Sequence, residues 1–251
     1  MSKAALVTGA GKRIGRAIAM TLARDGCSVA VHYNRSREEA EGVVAAIASA
    51  GGRAAAVGAN LADEAETASL VDRAADLVGP LVALVNNAST FAHDTLETAT
   101  RASWDLHMEA NLRAPFVLTQ QFARRLPEGA EGAVVNILDQ RVWNLDPFYT
   151  TYTVSKAGLW ALTQSLALAL APRIRVNAVG PGPTLQSATQ TPEQFAAQCE
   201  ATPLRRGSTP EDICDAVRYL LSARAVTGQL IAVDGGQHLG WATPPPGSTP
   251  D

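Results

Sequence analysis

Tyr152 and Lys156 stand four residues apart in Tyr152-Thr153-Val154-Ser155-Lys156, one helical turn, so both side chains face the same way. An ammonium beside a phenol favours the phenolate, which predicts a Tyr152 pKa below its usual value near ~10. A tyrosine tuned in this way donates a proton to a substrate that is accepting a hydride. Asp139 lies thirteen residues before Tyr152, on the way out of the apolar run Ala133-Val134-Val135-Asn136-Ile137-Leu138. A carboxyl at this third corner hints at an unusual substrate. Burial would raise its own pKa and Lys156 would lower it, and the sequence leaves the two effects open.

A second set of residues suits an anionic cofactor. The first apolar run ends in Thr8-Gly9-Ala10-Gly11-Lys12-Arg13-Ile14-Gly15. Ile14 stands where G-x-G-x-x-G would place its third glycine, yet the physics of that motif survives. Gly9 and Gly11 allow a tight turn, Gly15 permits close helix packing, and the helix start offers free N–H groups to a pyrophosphate. After the second run the chain reads His32-Tyr33-Asn34-Arg35-Ser36, with no acid until Glu38. An acid there would hold a ribose 2′-hydroxyl, whereas Arg35 and Ser36, with Lys12 close by, suit a 2′-phosphate. NADPH is therefore expected in preference to NADH.

These side chains need a frame. Apolar runs of strand length at 4–8, 28–33, 53–58, 81–86, 133–138, 173–179 and 230–233 alternate with segments of helical period at 13–25, 37–50, 63–78, 103–126, 152–171 and 210–223. Near-continuous apolar strands separated by helices predict a doubly wound parallel sheet of seven strands, a Rossmann-type α/β fold. Ligands are expected at the carboxyl ends of its strands. One domain over residues 1–242 accommodates all of it, followed by a Pro-rich, frayed tail at 243–251. Residues 181–209 form a long Thr-, Pro- and Gln-rich segment with one short helix around 193–199, read as a lid over substrate. The helix over 152–171 is apolar on nearly every side. One face covers the sheet, and the other is expected to meet the same helix, or its neighbour at 103–126, from a second subunit.

Composition narrows the partners. The 251-residue chain carries a formal charge of −3 with 18% charged residues, so it presents neither a basic stripe for nucleic acid nor a polybasic patch for a membrane. A small molecule or another copy of the chain is the expected partner. Cys27, Cys199 and Cys214 are scattered without C-x-x-C pairing, which argues against a disulfide framework or a metal site and for a cytoplasmic protein. The strand pattern begins at residue 4, leaving no room for a secretory signal. The most apolar stretch, 157–171, is interrupted by Thr163-Gln164-Ser165 and stopped by Pro172, short of the ~20 residues of a membrane span.

The glycine loop, Asn86-Asn87-Ala88-Ser89 after the fourth strand, Asn111 in the following helix, Tyr152-x-x-x-Lys156 and Pro181-Gly182 after the sixth strand resemble the short-chain dehydrogenases/reductases over residues 4 to about 240. The resemblance implies a catalytic set of Asn111, Asp139, Tyr152 and Lys156, with Asn111 helping to hold a water relay to Lys156. It implies that Gly9, Lys12, Arg13 and Ile14, the segment His32 to Ser36, Asn60, Leu61, Asn87, Ala88, Ser89, Tyr152, Lys156, Pro181 and Gly182 line the cofactor. Asn60-Leu61 puts an amide at the usual adenine-contacting acid, and an amide still accepts a hydrogen bond. It further implies a homo-oligomer, a tetramer, with 237–241 near a neighbouring active site.

Three departures point one way within that family. Arg13 replaces a loop glycine, Asp139 replaces a serine and Ser89 replaces the glycine of Asn-Asn-Ala-Gly. With His32-Tyr33-x-Arg35-Ser36 and Ser89-Thr90-Phe91 they are similar to the pteridine reductases and the related dihydromonapterin reductases. That likeness implies substrate contacts from Arg13, Ser89, Phe91, Asp139 and Tyr152, with Phe91 stacked on the pterin and Arg13 reaching both cofactor phosphate and pterin edge. Each also has a plainer reading: Phe91 as core, Arg13 as a phosphate clamp alone, Asp139 as a turn cap. The expectation is an NADPH-dependent reductase of oxidised or dihydropterins. The alternatives are a carbonyl or 3-oxoacyl-thioester reductase and, third, a cofactor-binding regulator without turnover.

Overall fold

The structure is a computed structural model that describes residues 3–145, 147–187 and 190–240. The expected tail at 243–251 and Trp241 lie outside those residues. Seven strands, β1 (Ala4–Val7), β2 (Ser28–Tyr33), β3 (Arg53–Gly58), β4 (Leu81–Asn86), β5 (Gly132–Ile137), β6 (Ile174–Pro181) and β7 (Leu230–Val233), form one parallel sheet in the order β3-β2-β1-β4-β5-β6-β7. The order in which strands are added reverses between β1 and β4, and that switch point opens a crevice at the strands' carboxyl ends.

The apolar runs are strands because both of their faces are covered. Helices α1 (Arg13–Arg24), α2 (Arg37–Ser49) and α8 (Pro210–Ser222) close one face, where Val7, Val31 and Val135 meet Ile18, Val43 and Ile213. Helices α3 (Glu64–Val78), α5 (Ala114–Arg125) and α6 (Thr150–Leu170) close the other, where Leu6, Leu84 and Val134 meet Leu70, Leu118 and Ala167. Among the described residues no helix is long and apolar enough to cross a membrane.

Two expected boundaries need correction. The helix expected over 103–126 is three pieces: α4 (Arg101–Met108), a π-helical turn (Glu109–Arg113) and α5. It begins earlier because Thr100 and Ser103 form a reciprocal cap, and it widens where Asn111 turns inward, fully buried. β6 runs two residues beyond the expected end, pairing Pro181 with Val233. The 181–209 segment holds one helix, α7 (Pro192–Glu200), none of whose residues is buried.

The start of α6 carries Tyr152, and a buried carboxylate fixes it. Asp94, 2% exposed, accepts the Thr151 N–H at 3.1 Å and the Thr151 hydroxyl at 2.5 Å, while its carbonyl accepts the Tyr149 N–H at 2.7 Å. The Ala92 N–H donates to His107 Nε2 at 3.1 Å, so Nδ1 carries the proton of the neutral ring and donates to Thr151 Oγ1 at 2.7 Å. Asp94 thereby caps the helix from outside its own chain neighbourhood. Replacing Asp94 with Ala leaves two buried donors unsatisfied and should cost about 2 kcal/mol in urea unfolding, with Asp94→Asn losing less. A loss no larger than that of an exposed surface substitution would remove Asp94 from this role.

Candidate active site

A cleft of about 890 Å³ opens at the carboxyl ends of β1, β2, β4, β5 and β6. Every residue expected to contact cofactor or substrate lines it: Gly9, Lys12, Arg13, Ile14, His32 to Ser36, Asn60, Leu61, Asn87, Ala88, Ser89, Phe91, Asp139, Tyr152, Lys156, Pro181 and Gly182. Asn111, expected in the catalytic set, does not line it. Gln237 of the same chain lines the cleft as well.

The glycine turn is shaped by close approach. Gly9 has φ +61°, a backbone conformation that a side chain disfavours. A Cβ on Gly15 would lie 2.3 Å from the Gly9 carbonyl oxygen and 2.4 Å from the Asn87 amide nitrogen, so only glycine fits. Asn87 ties the ends of β1 and β4 together by donating to the Thr8 and Gly9 carbonyls at 2.8 and 3.2 Å. No side chain caps the start of α1, which leaves its first N–H groups for an anion. Gly9 itself is held from behind: its N–H donates to His32 Nδ1 at 3.0 Å, and Nε2 then donates to the Ala59 carbonyl at 3.0 Å. His32, 1% exposed, braces the turn from the rear, and burial pushes its pKa down to about 4.

At the end of β2, Arg35 is exposed and no described acid pairs with it. Lys12 is engaged by Glu39 at 2.6 Å. Arg13, at φ +53°, forks onto the carbonyls of Leu185 and Gln186 at 3.0 Å each, tying the glycine turn to the 181–209 segment. The turn, the open helix start and Arg35 with Ser36 together fit a phosphorylated dinucleotide.

The acid corner differs from the expectation. Tyr152 is 6% exposed, and its hydroxyl donates to Asp139 Oδ2 at 3.0 Å. Burial foremost, then the Asp139 charge and this hydrogen bond, push the phenol's pKa well above the ordinary value; Arg141 and Ser89 act in the opposite direction. The predicted lowering by Lys156 is thus overturned. Lys156 Nζ donates to the Ile137 carbonyl at 2.8 Å, lies 5.8 Å from the centroid of the Tyr152 ring, and has its own pKa lowered to about 8 by burial. Sharing a helical face gave the two side chains proximity, but the ammonium turns to the end of β5.

Asp139 does cap a turn, accepting the Arg141 N–H at 2.9 Å, and does so while facing Tyr152. Asn111 spends its side chain on structure: Oδ1 accepts from Thr90 N at 2.8 Å, and Nδ2 donates to the Thr90 carbonyl and to Ser155 Oγ at 3.0 and 3.1 Å. Phe91 is 45% exposed within the cleft rather than core, stacked on Tyr149 at 4.4 Å and edge-on to Tyr152 at 4.7 Å. Sequence reasoning missed Tyr149 and Arg141. The signal for Tyr149 was its place three residues before Tyr152, one turn along the same helix start.

The family model described as enoyl-(acyl carrier protein) reductase matches residues 9–238. The solved FolM alternative dihydrofolate reductase 1 of Brucella canis, complexed with NADP, is 47% identical with a TM-score of 0.93, and the match covers 97% of each chain. The 3-oxoacyl-[acyl-carrier-protein] reductase FabG of Staphylococcus aureus is 36% identical over 247 residues, 95% of this chain and 99% of that one. An uncharacterised oxidoreductase of Methylorubrum extorquens is 38% identical over 242 residues, 93% and 97% of the two chains.

The His32 brace generates a pH dependence. A histidine held neutral with a pKa near 4 contributes stability that is complete above its unfolded pKa of about 6.5 and is lost as pH falls towards 4. His32→Gln keeps one acceptor and one donor but does not titrate. Wild-type stability should therefore fall by up to ~3 kcal/mol more than the variant's between pH 7 and pH 4. Parallel urea-midpoint curves for the two proteins would contradict it.

Proposed function

The chain belongs to the short-chain dehydrogenase/reductase family, and from that footing we propose that it is an NADPH-dependent reductase of oxidised or dihydropterins. The observation that carries the reading is the carboxylate of Asp139 hydrogen-bonded to Tyr152 beneath an aromatic wall of Phe91 and Tyr149. A pterin is flat, with alternating donors and acceptors along its edge. It suits an aromatic face beside a carboxylate that accepts amino N–H groups. The 47% identity to an alternative dihydrofolate reductase solved with NADP supports both the cofactor and the substrate class.

The cofactor, when bound, supplies the hydride. Gly9 and the start of α1 would hold its pyrophosphate, and Arg35 with Ser36 its 2′-phosphate. Tyr152 gives its phenolic proton to the ring nitrogen next to the carbon that is reduced. Its raised pKa keeps that proton in place until a base forms on the substrate. Ser89 and Asp139 orient the hydroxyl, and Lys156 steadies the end of β5 through the Ile137 carbonyl. In this reading Asn111 acts as a brace between the Thr90 loop and α6.

A second reading, reduction of a ketone or 3-oxoacyl thioester, is favoured by the FabG relatives. Asp139 weighs against it, because a carboxylate beside the acid repels the alkoxide that such a reaction develops. We also read the protein as cytoplasmic and as a homo-oligomer, a tetramer. Leu168, 83% exposed in the last turn of α6, supports a second copy on that face.

Three outcomes test the proposal. NADPH oxidation should be faster with a dihydropterin than with an acetoacetyl thioester, and the reverse order would reject the substrate. Tyr152→Phe should lower kcat by about a hundredfold or more while NADPH affinity stays near normal; unchanged turnover would take Tyr152 out of the mechanism. Asp139→Ser should harm pterin reduction more than reduction of an activated ketone, and equal losses would show that the aspartate does not select substrate.

A further inference from the structure

The cation in contact with the acid corner is Arg141. Its backbone N–H donates to Asp139 Oδ1 at 2.9 Å, and its guanidinium donates to Oδ2 at 3.3 Å, the same oxygen that accepts the Tyr152 hydroxyl at 3.0 Å. The pair is largely buried, with 19% of the arginine side chain and 16% of the aspartate side chain exposed. The guanidinium carbon also lies 5.2 Å from the centroid of the Tyr149 ring and 5.8 Å from that of Phe91, and those two rings are stacked on each other. One side chain therefore braces the carboxylate and the aromatic wall together. We propose that Arg141 is a positioning residue of the reaction: it aims the Asp139 carboxylate at Tyr152 and supplies the positive charge that offsets it when the phenol gives up its proton.

Other groups facing Tyr152 do not take this part. Lys156 senses the Asp139 charge but gives its hydrogen bond to the Ile137 carbonyl, and His107, edge-on to Tyr152 at 5.9 Å, is committed to Thr151 and the Ala92 N–H. Asp139 on its own would oppose a phenolate through charge and hold the proton through its hydrogen bond. With Arg141 in place the triad of phenol, carboxylate and guanidinium carries no net charge before transfer. The lone negative charge appears only as the proton leaves.

The inference rests on Tyr152 being the proton donor. The test compares wild type with Arg141→Met, which keeps the length and loses the charge, and Arg141→Lys, which keeps the charge and loses the fork. Rates are followed over pH with a dihydropterin and, separately, with an activated diketone. Failure of wild type on the pterin alone rejects the proposed substrate, and the arginine is then judged on the diketone. For Arg141→Met we expect kcat to fall by about tenfold while KM for NADPH stays within about twofold. Removing the cation raises the phenol's pKa, so the basic limb of the profile should move up by about half a pH unit or more, with Arg141→Lys in between. A limb that stays put in Arg141→Met, whether kcat falls or not, would reduce Arg141 to a packing residue and overturn the proposal. So would a lysine variant no closer to wild type than the methionine variant.

Discussion

A phenol buried against a carboxylate sets the conditions at this site. Two acidic groups in contact, the phenol buried and the carboxylate largely so, favour keeping the proton on the phenol, and the hydrogen bond from Tyr152 to Asp139 is the form that this takes. Burial first, and the Asp139 carboxylate after it, hold the proton on Tyr152, while the Lys156 ammonium is turned to the Ile137 carbonyl. In the proposed role of proton donor, such a phenol suits a substrate that becomes basic as it is reduced, as a ring nitrogen beside a carbon receiving hydride does. It suits a developing alkoxide less, because two negative oxygens would then share one pocket.

The surrounding fold keeps that contact in register. Asp139 comes from the end of β5 and Tyr152 from the first turn of α6, so their meeting depends on how the helix start is placed over the sheet. Asp94 and His107 fix the helix from one side through Thr151, and Lys156 ties it to β5 through the Ile137 carbonyl. The π turn at Glu109–Arg113 lets Asn111 point inward and join the Thr90 loop to Ser155 on α6. On the cofactor side His32, buried with both ring nitrogens matched, and half-buried Asn87, through its amide N–H groups, do the same for the glycine turn. Buried, satisfied polar groups cost little while paired and much when one partner is lost. The site is therefore held by contacts that tolerate few substitutions.

The sheet could be read from the sequence because its signal is local. Runs of Val, Leu, Ile and Ala between helical periods place β1 to β7 within a few residues, and a parallel sheet covered on both faces follows from their lack of alternation. The glycine turn was readable for the same reason: Gly9 and Gly15 must be small wherever the helix packs. What sequence could not supply is the direction of a long side chain. Tyr152 and Lys156 share a helical face, but whether the ammonium meets the phenol or the Ile137 carbonyl depends on where β5 ends in space. Arg13 likewise reaches the carbonyls of Leu185 and Gln186, some 170 positions along the chain. His32 lines the cleft as expected, but the sequence could not show that its two ring nitrogens face the backbone of Gly9 and Ala59. Arg141 has no motif at all, and only the closing turn after Asp139 brings it to the carboxylate.

The most direct test of a carboxylate-controlled tyrosine is the pH profile of kcat for Asp139→Asn beside that of wild type. Asparagine keeps an acceptor for the hydroxyl and removes the charge, so the phenol's pKa should fall and the basic limb should move to lower pH by about one unit or more. A limb that stays where it is, or moves to higher pH, would show that Asp139 does not govern the acidity of Tyr152.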